Sequence, residues 1–325
     1  MNRRDFVKLA LGTSAVGVGG APFIWSKRAG LQAAPRSSVV AVARDEKVFA
    51  GDDIDARVLA HMLHEGVKRV TGEKTAKAAW GSLFSRRDRV GIKVNSLAGA
   101  RLWSHVQLVN AIVEGLRMAD VVDEKIIVWD RSSAELKGAG FTLNRDRGVQ
   151  CLGTDGRYER EPLVYGSIGS CFSTLVSRRC TALVNVPVLK DHDLAGVTLG
   201  LKNFFGAINN PNKYHDNNCD PFVADVNSVP FIRKNLRLTV CDGLTAQCDG
   251  GPAYKPRRAW KYAGLLVGTD PVAVDWTGAQ VIEAQRKEMK LPPLAKVGRP
   301  PKHILTAAKM GLGIADPSKT EVVDI

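Results

Sequence analysis

No C-x-x-C pair occurs in the 325-residue chain, and its six cysteines stand apart at positions 151, 171, 180, 219, 241 and 248. An iron–sulfur cluster of the ferredoxin type, or a zinc ribbon, is therefore not supported by the cysteine spacing. The same spacing leaves any disulfide pairing open. The phosphate-cradling G-x-x-x-x-G-K-[ST] is missing, and no G-x-G-x-x-G follows a strand-like run, so neither a P-loop nor a dinucleotide fingerprint is present. Aromatic residues make up only 6% of the chain, and no Lys/Arg run is interleaved with them. No nucleic acid is expected as a partner on that pattern. There is no internal repeat and no low-complexity tract. What remains is an ordinary globular composition, 45% hydrophobic and 24% charged, sufficient for one large domain or two lobes.

The formal charge is +13. Part of it sits in the opening "MNRRDFVKLALGTSAVGVGGAPFIWSKRAG", where Arg3, Arg4, Lys8, Lys27 and Arg28 face Asp5 alone. The arginine pair is followed by Phe6, Val7 and Lys8, then by a glycine- and alanine-rich, weakly apolar stretch from Leu9 to Trp25. This pattern predicts a twin-arginine signal peptide over residues 1–34, with the twin-arginine translocase as partner and a periplasmic location. An uncleaved signal would be the membrane contact. The rest of the chain keeps a positive balance, which suits a small anionic ligand.

Beyond residue 34, strand-like and helix-like runs alternate. "RVGIKVN" (89–95), "KIIVWD" (125–130), "TALVNVPVL" (181–189), "LRLTVCDG" (236–243) and "GLLVGTD" (264–270) read as strands, as does "SVVAVAR" before them. Residues 53–72 and 104–121 have helical spacing, and 270–290 reads as a helix capped by Asp270 with Pro271 in its first turn. The alternation predicts an α/β fold over 35–325, a mostly parallel sheet flanked by helices, in one lobe or two. Ligands in such sheets bind beyond the C-terminal strand ends. The polar residues at those ends are Lys93 and Asn95, Asp130, Lys190 and His192, Asp242 and Asp270. The Pro-rich "LPPLAKVGRPPKH" (291–303) reads as a surface connection.

The densest polar stretch, "VNVPVLKDHDLAGVTLGLKNFFGAINNPNKYHDNN" (184–218), begins as a strand that Pro187 ends or edges. Lys190 and His192 follow at its exit. A helical pattern runs from about Ala195 to Ile208, placing Lys202 one turn from Thr198 with Asn203 beside it, and an amide-rich loop carries His215. Two ammonium groups and an imidazole beside a helix N-terminus would stabilise a carboxylate, phosphate or developing enolate. The leading expectation is an enzyme on an anionic or carbonyl-bearing small molecule, with His192 as acid/base and Lys190 and Lys202 stabilising charge. Lys93, Asn95, Asn203, His215, Asp242 and Asp270 would contact the ligand. A non-catalytic protein that binds a small molecule or cofactor is a second reading. A metal site from His192, His215 and an aspartate such as Asp242 is a third, without diagnostic spacing.

The stretch "NVPVLKDHDLAGVTLGLKNFFGAI" resembles the signature of the Domain of Unknown Function 362 family, a Pro-x-Leu-Lys-x-His segment leading into Gly-Val-Thr-x-x-Leu-Lys-Asn. "DRVGIKVNSLAG" (88–99), His215, "CDGLTAQCDGGP" (241–252) and "LLVGTDPVAVDWTGA" (265–279) agree with it in order. The resemblance implies that Gly251, Pro252 and Asp275 also occupy shared positions. It implies no particular reaction and no named cofactor. Relatives with appended ferredoxin-type cysteine motifs are labelled iron–sulfur proteins, and this chain lacks those motifs.

Overall fold

The computed structural model describes residues 37–51, 53–98 and 101–325; the expected export signal at 1–34 lies outside them. Strand β1 (Ser38–Arg44) leads to helix α1 (Ala56–Thr71), β2 (Val90–Val94), α2 (Val106–Met118), β3 (Ile126–Asp130) and β4 (Gln150–Gly153). Then come β5 (Ala182–Val186), β6 (Val188–His192), β7 (Gly196–Val197) and the short α3 (Leu199–Asn203). The last elements are β8 (Leu236–Gln247), β9 (Ala259–Gly268), α4 (Pro271–Glu288), α5 (Lys302–Lys309) and β10 (Thr320–Asp324).

These strands form one ten-stranded sheet in the order β10-β1-β9-β8-β5-β2-β3-β4, with β6 on β8 and β7 on β6. Neighbours from β8 to β4 are parallel, as are β1 with β10 and β6 with β8. The long β9 runs antiparallel to both β1 and β8. The fold is thus α/β with a mostly parallel mixed sheet, and the residues from Ser37 onward belong to one compact unit rather than two lobes.

Each sheet face is covered by an apolar layer, as parallel strands require. On one face Leu59 and Leu63 of α1, Trp80, and Ile112 and Leu116 of α2 bury Ile92, Val94 and Val184. On the other, Val272, Val274 and Ile282 of α4, with Leu201 and Phe204, bury Leu183 and Leu189. Helix α1 begins where Asp55 accepts from the Arg57 and Val58 N–H groups and stops at Gly72, whose φ of 75° is left-handed. Asp270 starts α4 in the same way, accepting from Val272 N and Ala273 N at 2.9 Å each. No helix among the described residues is long and apolar enough to cross a membrane.

Two local expectations change. The segment 195–208 is not one helix: Gly196 and Val197 form β7 against His192 and Asp191, and α3 begins only at Leu199. Gly196 has φ +80°, and a side chain there would meet the Arg299 carbonyl at 2.3 Å. Tertiary pressure from the 291–303 segment therefore makes a hairpin where local spacing favours a helix. That segment is not merely a surface link. Its Leu294 and His303 are buried, and Arg299 pairs with both Asp191 and Asp249.

Candidate functional site

Pro187 separates β5 from β6 because it has no N–H to donate; its carbonyl instead accepts from Asp242 N at 2.8 Å. The chain then continues beside β8, carrying Lys190 and His192 inward. Their i, i+2 spacing sends both side chains to one face. Lys93 comes from β2, Asn95 from just beyond it, and Lys202 and Asn203 from α3. Together they line a cavity of about 440 Å³ at the C-terminal strand ends, with His215, Phe205 and Pro252 on its walls. That volume fits a small metabolite-sized ligand.

Helix α3 is held there by a buried carboxyl group. Asp275 of α4 accepts from Gly200 N at 2.7 Å and Leu201 N at 2.8 Å. The free N–H groups expected to face a ligand are thus already satisfied from within the protein. Gly200 permits this approach, since a Cβ there would lie 2.9 Å from Asp275 Oδ1. Burial pushes the Asp275 carboxyl up to about 8 against the pull of those two donors.

The floor is a continuous polar network. Lys93 is 1% exposed, and its Nζ donates to Asp130 Oδ1 (2.7 Å), the Val94 carbonyl (2.6 Å) and Asn203 Oδ1 (3.1 Å). In the sequence Asp130 is legible only as the acid ending "KIIVWD"; it also accepts from Ser96 N and Oγ and from Arg131 N. Burial would raise its pKa, but the Lys93 ammonium and these donors hold it below the usual carboxylate range. Asn95 Nδ2 donates to Asn203 Oδ1 at 3.1 Å, and Asn203 Nδ2 donates to Asn185 Oδ1 at 2.8 Å. Lys93 is therefore a neutralised, structural cation.

Lys190 and Lys202 differ from it. Lys190 is fully buried, and its Nζ donates to the neutral Asn95 Oδ1 at 2.8 Å. Lys202 Nζ lies 3.1 Å from His215 Nε2 and 4.2 Å from the centre of the Phe205 ring. Neither lysine forms an ion pair with a described residue. Burial pushes Lys190 down to about 7, with nearby Asp130 and Asp191 resisting, and pushes Lys202 down to about 8.

The two imidazoles stack with centroids 5.6 Å apart. His215 Nδ1 donates to the Pro211 carbonyl at 3.0 Å, leaving its Nε2 as acceptor for Lys202. His192 Nδ1 accepts from Leu194 N at 3.1 Å and Ala195 N at 3.3 Å. The exposed Asp193 carboxylate also lies 2.9 Å from that nitrogen, a contact that would need a proton on it. One nitrogen cannot serve both. Burial and the neighbouring Lys202, His215 and Lys190 push His192 down to about 2, so the ring is neutral, and the two backbone N–H groups directed at Nδ1 put its one proton on Nε2.

Seven of the nine residues expected at the site therefore line one cavity: Lys93, Asn95, Lys190, His192, Lys202, Asn203 and His215. Asp242 and Asp270 do not. Asp242 Oδ2 accepts from His105 N and lies 2.8 Å from His105 Nδ1, while Asp270 caps α4 and accepts from Ser38 Oγ and Ile314 N. A His192–His215–Asp242 metal triad is not assembled, and no group of three His, Cys, Asp or Glu side chains among the described residues is placed to hold a metal. Sequence reasoning missed Arg131, Glu135, Phe205 and Gly206 in the lining. Gly206 carries a usable signal only once its packing is known: a Cβ there would sit 2.9 Å from Lys93 Cε.

No curated protein and no solved structure matches the chain. The family described as Domain of unknown function (DUF362) matches residues 90–280, a span that contains every residue lining the cavity. With more than half of its length matched, the chain belongs to the DUF362 family.

Proposed function

We propose that the protein is an exported enzyme whose cavity binds a small anionic, carbonyl-bearing molecule between Lys190, Lys202 and His192. One observation carries this reading. Two buried lysines meet at a cavity with only an amide and an imidazole as hydrogen-bond partners. An unpaired buried ammonium is costly, and a carboxylate or phosphate entering the cavity would relieve both lysines at once. A charge that develops on a carbonyl oxygen would gain from the same groups, together with the His192 Nε2–H. His192 is held neutral, so its part is to donate a hydrogen bond. Acid–base work falls to Lys190 and Lys202, whose proton affinities lie near neutrality.

Native mass spectrometry of the folded protein tests the reading. The parent should retain a small anion that a Lys202→Met variant loses. Equal retention by both, or by neither, would sink it.

Export rests on the Arg3–Arg4 pair and the weakly apolar stretch after it. Changing both arginines to lysine should leave the protein in the cytoplasm, as read by cell fractionation, because charge alone does not substitute for the pair. Unchanged appearance in the periplasmic fraction would remove the assignment.

A further inference from the structure

Asp242, which the sequence placed with the ligand-binding residues, instead contacts His105, a wall residue of a different cavity. That cavity has a volume of about 720 Å³ and shares no lining residue with the one described above. His105, immediately before α2, is in its wall. Asp242 is fully buried, and its Oδ2 meets both His105 N and His105 Nδ1 at 2.8 Å, while its Oδ1 accepts from Leu244 N at 3.1 Å.

A cap for the start of α2 needs only the main-chain contact. The second contact fixes the imidazole as well. With a carboxylate on Nδ1, the neutral ring carries its proton there and presents a lone pair at Nε2. Nε2 has no hydrogen-bond partner among the described residues. Burial lowers the affinity of His105 for a second proton, but Asp242 outweighs it, so the ring is a better base than an ordinary histidine.

Four aromatic rings share the wall with His105. Phe49, Trp103, Tyr254 and Trp260 all line it and are only partly buried, in a chain where aromatics are scarce. Phe49, Trp103 and Trp260 each pack one side against the core and leave the other side to the cavity, so apolar ring surface and an oriented base line the same space. Arg101 and Lys261 add positive charge to the lining, and Asp53 brings one opposing charge.

We propose that this cavity is a second ligand site, taking a planar aromatic compound whose hydroxyl donates to His105 Nε2 and whose anionic substituent faces Arg101 and Lys261. Stacking between the rings would supply most of the affinity, and the His105–Asp242 pair would supply selectivity for the hydroxyl.

The probe is 4-hydroxybenzoate, titrated calorimetrically into the full chain, with benzoate as the comparison. Saturable binding is expected, weakened about tenfold or more by His105→Ala and by Trp260→Ala, weaker for benzoate, and unchanged in Lys202→Met. The Trp260→Ala arm keeps the test usable if His105→Ala fails to fold. Three results would each overturn the proposal: no saturable binding, full affinity in the folded His105 or Trp260 variant, or equal binding of benzoate. Loss of binding in Lys202→Met would do so too, by moving the probe to the first cavity.

Discussion

A Lys190→Met variant is expected to melt a few degrees higher than the parent at pH 6 and to hold no anion in the main cavity. The gain follows from the cost of burying an ammonium. Lys190 titrates near 7 in the folded protein against an ordinary 10.5, so a proton on it favours the unfolded chain. That penalty is fully present below about pH 7 and fades as pH rises toward 10.5. Every tenfold loss of proton affinity on folding corresponds to about 1.4 kcal/mol, making the penalty a few kcal/mol at pH 6. Methionine keeps the volume but strands Asn95 Oδ1, which costs about 1–2 kcal/mol. The balance is a stabilisation of a few kcal/mol at pH 6 that disappears by about pH 10. Calorimetric melting at both pH values reads it directly. A variant less stable at both would show that Lys190 is a structural residue.

Asp275→Ala should act in the opposite direction. It removes the carboxyl group that accepts both N–H groups at the start of α3 and leaves them buried without partners. Two such groups cost about 2–5 kcal/mol, even after the relief of no longer burying a carboxyl. The loss should reach the cavity as well, because α3 carries Lys202 and Asn203, and Asn203 Oδ1 is the shared acceptor of Lys93 and Asn95. Chemical denaturation should show the drop, and anion binding should weaken in whatever still folds. Parental stability with intact binding would mean that α3 is positioned by its apolar face alone.

Much of this is legible in the sequence because strand–helix alternation fixes which ends of the strands face one way. That rule places Lys93, Asn95, Lys190 and His192, and distance into the next element places Lys202 and Asn203. The failures share a cause. Asp242 stands at a strand end too, but β8 continues past it, so the residue is buried mid-strand and meets His105 across 137 positions of sequence. Asp270 has the composition of a cap, and capping is what it does. The 195–208 segment has helical spacing, yet the Arg299 carbonyl pressed against Gly196 selects a hairpin. Local pattern cannot report a contact made from a distant part of the chain. The acceptor for the α3 N-terminus is hidden for the same reason: Asp275 reads as one more residue of a capped helix.

Two lysines held near neutrality must take up protons when an anion restores their charge. Calorimetric titration of pyruvate, an anion that also carries a carbonyl, measures this when run in buffers of different ionisation enthalpy. With Lys190 near 7 and Lys202 near 8, both are largely protonated at pH 6 and incompletely so at pH 8. Binding is predicted to take up between about one and two protons per anion at pH 8 and close to none at pH 6. Binding without proton uptake at pH 8, or with proton release, would contradict the assignment of Lys190 and Lys202 as the anion-binding pair.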